Sequence, residues 1–138
     1  MAVYTHGGLR ERHFGVFQSH TYAESRILFP DLYARHEARE PEFVPPNGGE
    51  SLVQLAQRVN DCLQLLLDDH QGHTILVVTH GGVLDVIRRL ATDRALHLPR
   101  DFEIPNAALN WLVARDGRWH METWADRRHL EQALDELP

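Results

Sequence analysis

The chain has 138 residues and carries 14 lysines and arginines against 20 aspartates and glutamates, a formal net charge of −6 at pH 7. A chain of this length suits one compact domain that buries a substantial core. The acidic balance disfavours nucleic acid and anionic membrane surfaces as main partners, because both attract clustered cations.

The first third of the chain predicts two short helices after an irregular start. Thr21 and Glu24 match a capping box, in which the two side chains satisfy free amides at a helix start. Pro30 interrupts this helix and suits the first turn of a second helix over 31–39. The following segment, 40–50, holds three prolines and two glycines, which predicts a surface loop.

The middle of the chain predicts a helix, a strand and another helix. Apolar residues recur three and four apart after Ser51, which indicates an amphipathic helix capped by Ser51 and Gln54 and ended by Gly72. The apolar, β-branched run 74–79 is typical of a strand buried on both faces of a parallel sheet. Helical spacing resumes over 83–91. This order of elements indicates an α/β architecture.

The last third predicts a hairpin and a short helix. Asp116-Gly117 is a strong signal for a tight turn between two strands, 108–114 and 118–124. An antiparallel hairpin of this kind fits the edge of a mostly parallel sheet. The segment 126–137 predicts a terminal helix.

The tetrapeptide Thr-His-Gly-Gly occurs twice, at 5–8 and at 79–82. His80 follows the predicted strand and precedes a helix, the position at which open α/β sheets bind ligands. Gly81 and Gly82 permit close backbone approach, and the free amides of a helix start favour a phosphoryl oxygen. His80 in this position can stabilise a transferring phosphoryl group. The alternative is a histidine that only satisfies backbone groups at the strand end.

The segment LRERHFG, residues 9–15, contains a second set of candidate groups. Glu11 can act as a general acid if burial raises its pKa. Arg12 and His13 supply positive charge for an anionic substrate. The alternative reading is a charged turn that leads into a helix.

Several motifs in order extend these observations along nearly the whole chain. They are LRERHFGVFQSHTYAE, GGES, Arg58-Val59, ILVVTHGGVLDVIRRL and IPNAALN. Their order and spacing resemble the histidine phosphatase superfamily, also called the phosphoglycerate mutase-like family. Ser19 stands where members of that family commonly have a glycine. The resemblance implies a three-layer α/β domain, a mostly parallel sheet flanked by helices, with a phosphate pocket at the strand ends.

The resemblance also implies roles for individual residues. Glu11 matches the family's proton donor, and His80 matches its second active-site histidine. Gly81 matches a residue whose backbone lines the phosphate. Positions that line the substrate pocket of mutase-type members match Arg12, His13 and Phe14.

One departure from the family pattern concerns the nucleophile. Family members open with a buried strand ending in Arg-His-Gly, whose histidine takes the phosphoryl group, and this sequence contains no such tripeptide. His6 is a poor substitute, because only four residues separate it from Glu11 and a parallel crossover needs about a dozen. The later family segment S-x-L-x-R-x-x-x-T-A, with a second phosphate-binding arginine, is absent too. We therefore expect residues 1–138 to form a partial, N-terminally shortened domain.

Two functions follow as expectations from the resemblance and the departure. The parental chemistry is hydrolysis of a phosphorylated small molecule through a phosphohistidine, impaired here by the missing nucleophile. The alternative is a non-catalytic remnant or pseudoenzyme that binds phosphate. No metal or other cofactor is expected, since no HExxH or Cys–His ligand spacing occurs.

The location and self-association of the chain are further expectations. The first residues lack the charged and apolar segments of a signal peptide, and Cys62 as the only cysteine cannot form an internal disulfide. We expect a cytoplasmic protein. Because the missing strand would neighbour 75–78 in the family's sheet, these residues are expected to be exposed and to associate with another copy.

Overall fold

The computed structural model describes residues 2–130. It is a mixed α/β fold in which helices accompany a two-stranded antiparallel sheet. The elements are α1 Tyr22–Leu28, α2 Pro30–Glu37, α3 Leu52–Asp69, α4 Gly81–Ala91, β1 Leu109–Arg115 and β2 Arg118–Asp126, with single 3-10 turns at Gly7–Leu9 and Gly15–Phe17. The predicted terminal helix lies largely outside the described residues, and Asp126 belongs to β2 instead.

Two capping boxes set the starts of α1 and α3, as predicted. Thr21 Oγ1 accepts from the backbone amide of Glu24 at 3.2 Å, while the Glu24 carboxylate accepts from the amide of Thr21 at 2.7 Å. Ser51 and Gln54 exchange the same pair of bonds at 3.1 and 2.9 Å. Each cap satisfies amides that the helix itself cannot pair, a contribution of about 1 kcal/mol. Pro30 begins α2 directly after α1.

The main core lies between α3 and α4. Both helices present apolar stripes of period three to four, and their buried core side chains are Leu55, Val59, Leu63, Val83, Val86 and Ile87. Trp119 of β2 covers this cluster, and its indole nitrogen donates to the carbonyl of Leu63 at 3.2 Å. The α3–α4 pair thereby fixes where the start of α4 lies.

The hairpin has the predicted turn. Asp116 and Gly117 both have positive φ, 53° and 71°, as a two-residue hairpin turn requires. β1 pairs with β2 in antiparallel register from Arg115 opposite Arg118 to Leu109 opposite Asp126.

The buried parallel strand predicted over 74–79 is absent from residues 2–130. Their only sheet is the antiparallel β1–β2 pair. Leu76 is 70% exposed and Val78 is 84% exposed. The burial predicted from the apolar pattern of 74–79 is therefore wrong. The exposure expected from the missing neighbouring strand is confirmed for these two side chains. A β-branched run becomes a ladder strand only where a neighbour supplies hydrogen bonds, and no described segment does so.

No helix within residues 2–130 combines the length and apolarity needed to cross a bilayer.

Candidate active site

The carboxylate of Glu11 lies against the start of α4. Glu11 Oε2 accepts from the backbone amide of Gly82 at 3.1 Å, and Glu11 Oε1 accepts from the amide of Arg12 at 2.7 Å. A Cβ atom built on Gly82 would lie 2.4 Å from Glu11 Oε1. Only glycine therefore allows this approach of the carboxylate to the positive end of α4.

His80 is the N-cap residue of α4, with extended backbone dihedrals of −115° and 164°. Its carbonyl accepts from the amide of Leu84 at 2.9 Å, and its exposed side chain has no hydrogen-bond partner among residues 2–130. The preceding Thr79 donates its hydroxyl to the carbonyl of Leu9 at 2.7 Å. This bond ties the start of α4 to the segment that carries Glu11.

Gly81 is the first residue of α4 and is exposed. A Cβ atom added there would meet no heavy atom within 4 Å. The amide of Gly81 belongs to the first helical turn, whose amides have no partner within the helix.

Arg12 is a buried cation with no ion-pair partner among the described residues. Its side chain and backbone are together only 7% exposed. Arg12 Nε donates to the carbonyl of Glu50 at 2.8 Å, and the guanidinium lies 5.5 Å from the centre of the Phe14 ring. Burial lowers the pKa of Arg12 to about 10, against the opposing effect of the Glu50 and Glu11 charges. Such a group remains charged at pH 7 and attracts an anion.

A half-buried ion pair holds the Glu11–Arg12 segment on α3. Arg58 donates from Nε and Nη2 to the two carboxylate oxygens of Glu50 at 2.8 and 2.7 Å. Arg58 Nη1 also donates to the carbonyls of Gly8 and Arg10 at 2.9 and 3.1 Å. Burial alone would raise the pKa of Glu50, but the hydrogen bonds and charge of Arg58 keep that pKa below its ordinary value. Glu50 is thus a positioning group for the segment that carries Glu11 and Arg12.

His13 and Phe14 continue the segment towards a second aromatic core. His13 is exposed, and its Nδ1 accepts from the amide of Gly15 at 3.1 Å. Phe14 packs beside Phe17, and its ring centre lies 6.0 Å from that of His36. Burial and the nearby arginine charges lower the pKa of His36, so its imidazole is neutral near pH 7.

Two adjoining cavities meet at this segment. The larger, of ≈ 510 Å³, is lined in part by Glu11, Arg12, His13 and Phe14. The smaller, of ≈ 320 Å³, is lined in part by Glu11, Arg12, Phe14, Gly81, Gly82 and Arg100. Five of the six candidate residues therefore share these cavities. His80 lines neither cavity as formed by residues 2–130, although its neighbour Gly81 does.

A cluster of charged residues beside the smaller cavity was not found from the sequence. The Asp85 cluster consists of Asp85, only 3% exposed, and three arginines that donate to its carboxylate: Arg39 at 2.8 Å, Arg89 at 3.0 Å and Arg100 at 2.9 Å. Burial opposes ionisation of Asp85, but the arginines hold its pKa below the ordinary value. The available signal was an acid and a base four residues apart on the apolar face of α4.

The arrangement combines a carboxylate, a buried cation and the exposed first residue of α4 around one cavity. These are the groups that hold an anion and pass a proton to a leaving oxygen. Groups of three or more metal-ligating side chains with suitable geometry do not occur in the described part of the chain.

The site presents groups that suit an anionic ligand, and comparison with known proteins gives the family of this chain. The model of the histidine phosphatase superfamily (branch 1) matches residues 1–127. The chain belongs to the histidine phosphatase superfamily, which confirms the family predicted from its motifs.

Two of the similar relatives come from a plant. The chain is 37% identical to "Phosphoglycerate mutase-like protein 4" of Arabidopsis thaliana over 134 residues, 96% of this chain and 56% of that protein. It is 34% identical to "Metal-independent phosphoserine phosphatase" of the same organism, over 88% of this chain and 50% of that protein. The chain thus spans about half the length of these relatives.

A solved structure supports the fold assignment. "Bacillus stearothermophilus YhfR" superposes with a TM-score of 0.83 at 28% sequence identity. The match covers 92% of this chain and 63% of that structure. The mixed α/β arrangement of residues 2–130 therefore matches a histidine phosphatase fold.

Proposed function

We propose that this chain carries the acid and anion-binding part of a phosphomonoester hydrolase site that works through a phosphohistidine. Glu11 is the proposed general acid, and His80 stabilises charge on the phosphoryl oxygens. The substrate is a phosphorylated small molecule, held by Arg12, His13, Phe14 and the backbone of Gly81. No metal or other cofactor has a role in this proposal.

The observation that carries the proposal is the buried Arg12 beside Glu11 at the start of α4, because this guanidinium has no carboxylate partner within residues 2–130. Burying a guanidinium without a carboxylate partner is costly, so such groups occur where an external anion completes the pair. The same cavity wall holds the carboxylate of Glu11. A phosphate monoester bound to Arg12 would present its bridging oxygen to an acid already fixed by two backbone amides.

The proposed reaction has two steps. In the first step a nucleophilic histidine, the residue that Arg-His-Gly supplies in family members, attacks phosphorus in line while Glu11 protonates the leaving oxygen. In the second step water attacks the phosphohistidine while Glu11 takes up the proton. The imidazole of His80 and the guanidinium of Arg12 stabilise charge on the equatorial oxygens. Since this sequence has no Arg-His-Gly, we expect the chain alone to hydrolyse aryl phosphates near the background rate.

A phosphate titration tests the proposal. Inorganic phosphate is expected to shift the imidazole NMR signals of His80, and Arg12→Met is expected to weaken phosphate binding at least about tenfold. Arg115→Met is the matched control, because Arg115 is an exposed arginine on the hairpin. An unchanged affinity in Arg12→Met would contradict the proposed site.

The alternative function is phosphate binding without turnover, as in a pseudoenzyme. Turnover distinguishes the two functions. Robust hydrolysis of an aryl phosphate that disappears in His80→Ala would overturn the expected impairment. Phosphate binding without any hydrolysis favours the alternative.

We also propose that 74–79 acts as a strand of a mostly parallel, three-layer domain and that its free edge associates with a second copy. The exposure of Leu76 and Val78 supports this. Sedimentation velocity is expected to show concentration-dependent association that Val78→Lys reduces. Ile27→Lys is the control, since Ile27 on α1 is comparably exposed at 79%. A monomer at all concentrations would contradict the association.

The remaining proposals concern location and partners. We propose a cytoplasmic protein with no nucleic-acid or membrane partner. The formal net charge of −6 supports the absence of these two partners, because nucleic acids and anionic membranes repel an acidic surface. Binding to duplex DNA or to anionic vesicles at 150 mM salt, about the physiological ionic strength, would contradict the proposal.

A further inference from the structure

We propose that His36 acts through Arg12 as a positioning residue of the anion site, because an anion bound at Arg12 draws a proton onto the His36 imidazole. The anion and the proton then strengthen each other's binding, so affinity for a phosphate-like anion rises as pH falls. The inference rests on the proposed function, in which Arg12 holds the phosphate. It assigns a role to a histidine of α2 that the proposed reaction does not use.

The placement of His36 at both cavities is the first observation. The residue lines the ≈ 510 Å³ cavity and the ≈ 320 Å³ cavity, as do Glu11, Arg12, Phe14 and Tyr22. The ring centre of His36 lies 6.0 Å from that of Phe14, and the guanidinium of Arg12 lies 5.5 Å from the same Phe14 ring centre. His36 and the proposed anion ligand therefore lie beside one aromatic ring.

The surroundings of the imidazole are the second observation. Its Nδ1 atom is buried and has no hydrogen-bond partner among residues 2–130. The ring packs against the rings of Phe17 and Tyr33, whose centres lie 5.4 and 5.6 Å away. A proton added to this buried ring lacks a partner within the aromatic cluster. Its stability therefore depends on the charges around the two cavities.

These charges set the sign of the effect. Burial is the main cause that lowers the pKa of His36, the positive charges of Arg12 and Arg39 lower it further, and the carboxylate of Glu37 opposes them. The other titratable or charged residues that line the two cavities are Arg10, Glu11, His13, His20, Tyr22, Tyr33, Asp85 and Arg100. An anion bound at Arg12 offsets part of the positive charge and so favours protonation of His36.

Reciprocity gives the pH dependence of binding. Because the anion favours protonation of His36, the chain with protonated His36 binds the anion more tightly than the chain with neutral His36. In the anion-free protein the pKa of His36 lies below its ordinary value of 6.5, so His36 is neutral at pH 7.5. The tighter binding therefore appears as pH falls through the His36 pKa values of the anion-bound and the free protein.

Sulfate is the probe, because it matches phosphate in shape and keeps its charge between pH 7.5 and 5. NMR titration of the His36 imidazole over this range, with and without saturating sulfate at constant ionic strength, tests the inference on the unmodified chain. We expect sulfate to move the titration midpoint of His36 to higher pH. A midpoint that does not move would overturn the inference.

Calorimetry measures the consequence for affinity. We expect the sulfate affinity of the chain to rise from pH 7.5 to pH 5, and this rise to be at least about threefold smaller in His36→Phe and in His36→Gln. The first of these variants keeps an aromatic ring beside Phe14. His120→Gln is the matched control, because His120 is an exposed histidine on β2, and it is expected to keep the full rise. A full rise in both His36 variants, or an equal loss in the control, would overturn the role of His36.

Two results distinguish failure of this inference from failure of the proposed function. Sulfate that shifts the His80 signals but leaves the midpoint of His36 unmoved would overturn the inference and leave the anion site intact. Absence of any histidine shift and of any heat of binding, with sulfate and with inorganic phosphate, would contradict the proposed function and the inference with it.

Discussion

Glu11 and Gly82 are joined by a hydrogen bond of 3.1 Å between a carboxylate oxygen and a backbone amide, across 71 positions of sequence. The bond places an acidic side chain at the positive end of α4, beside the buried guanidinium of Arg12. Acid, cation and helix start meet there because α4 packs on α3 while the Arg58–Glu50 pair holds the Glu11 segment on α3.

We predict that Gly82→Ala displaces the Glu11 carboxylate from its bond to the amide of residue 82 and destabilises the fold by about 1 kcal/mol, because the new Cβ atom would lie 2.4 Å from Glu11 Oε1. Gly81→Ala is the control from the same helix turn, with no atom within 4 Å of the added Cβ. That control is expected to be neutral or to gain up to about 1 kcal/mol from helix propensity. Urea unfolding measures both, and equal effects would contradict the close approach.

We predict that Asp85→Asn destabilises the protein by about 3–5 kcal/mol, because it leaves three arginines around a neutral side chain. Asp61→Asn, at an exposed position on α3 that accepts from Gln57, is expected to cost less than about 0.5 kcal/mol. Thermal and urea unfolding compare the two. A small effect of Asp85→Asn would show that the cluster is dispensable for the fold.

We predict that the protein loses stability as pH falls below about 6.5, partly through His36. Burial lowers the pKa of His36 from its ordinary value of 6.5, so the unfolded chain binds this proton more readily than the folded chain. The stabilisation is therefore present above pH 6.5 and is lost as pH falls through the folded pKa. Unfolding free energies between pH 7.5 and 5 measure the slope, and His36→Phe is expected to flatten it. An unchanged slope in this variant would contradict the role of His36.

A second loss of stability is predicted at lower pH, through Asp85. Its pKa lies below the ordinary 3.8 in the folded protein, so its contribution is present above pH 3.8 and is lost as pH falls through the folded pKa. Acid unfolding followed by circular dichroism measures this step. A rise in stability on acidification below pH 3.8 would contradict it.

We predict that Cys62 resists alkylation in the folded protein. The residue is 1% exposed, and burial raises the pKa of its thiol against the opposing charge of Arg58. Since the thiolate is the reactive form, iodoacetamide at pH 7.5 is expected to modify Cys62 at least about a hundredfold more slowly than in urea-unfolded protein. Mass spectrometry follows both reactions, and similar rates would contradict the burial of Cys62.

Local features of this protein were predictable from its sequence. The two capping boxes, the amphipathic α3 and the turn at Asp116-Gly117 depend on residues within a few positions of one another, so spacing alone is informative. The family was also predictable, because several motifs occur in order along the chain. The candidate segment 9–15 and the start of α4 could be named as neighbours only through that resemblance.

Other features depend on contacts between distant parts of the chain. The burial of Arg12, the approach of Glu11 to Gly82 and the sharing of Asp85 by three arginines follow from the way that α3, α4 and their flanking loops pack. The exposure of Leu76 and Val78 has the same origin, since strand burial requires partner strands that no pattern within 74–79 contains. Sequence by itself therefore determined the starts of α1 and α3 and the hairpin turn, which arise from local chemistry, and the family, which the order of the motifs indicates. Tertiary structure alone decided which charges meet around the cavity, because long-range packing sets the distances between side chains that are far apart in the chain.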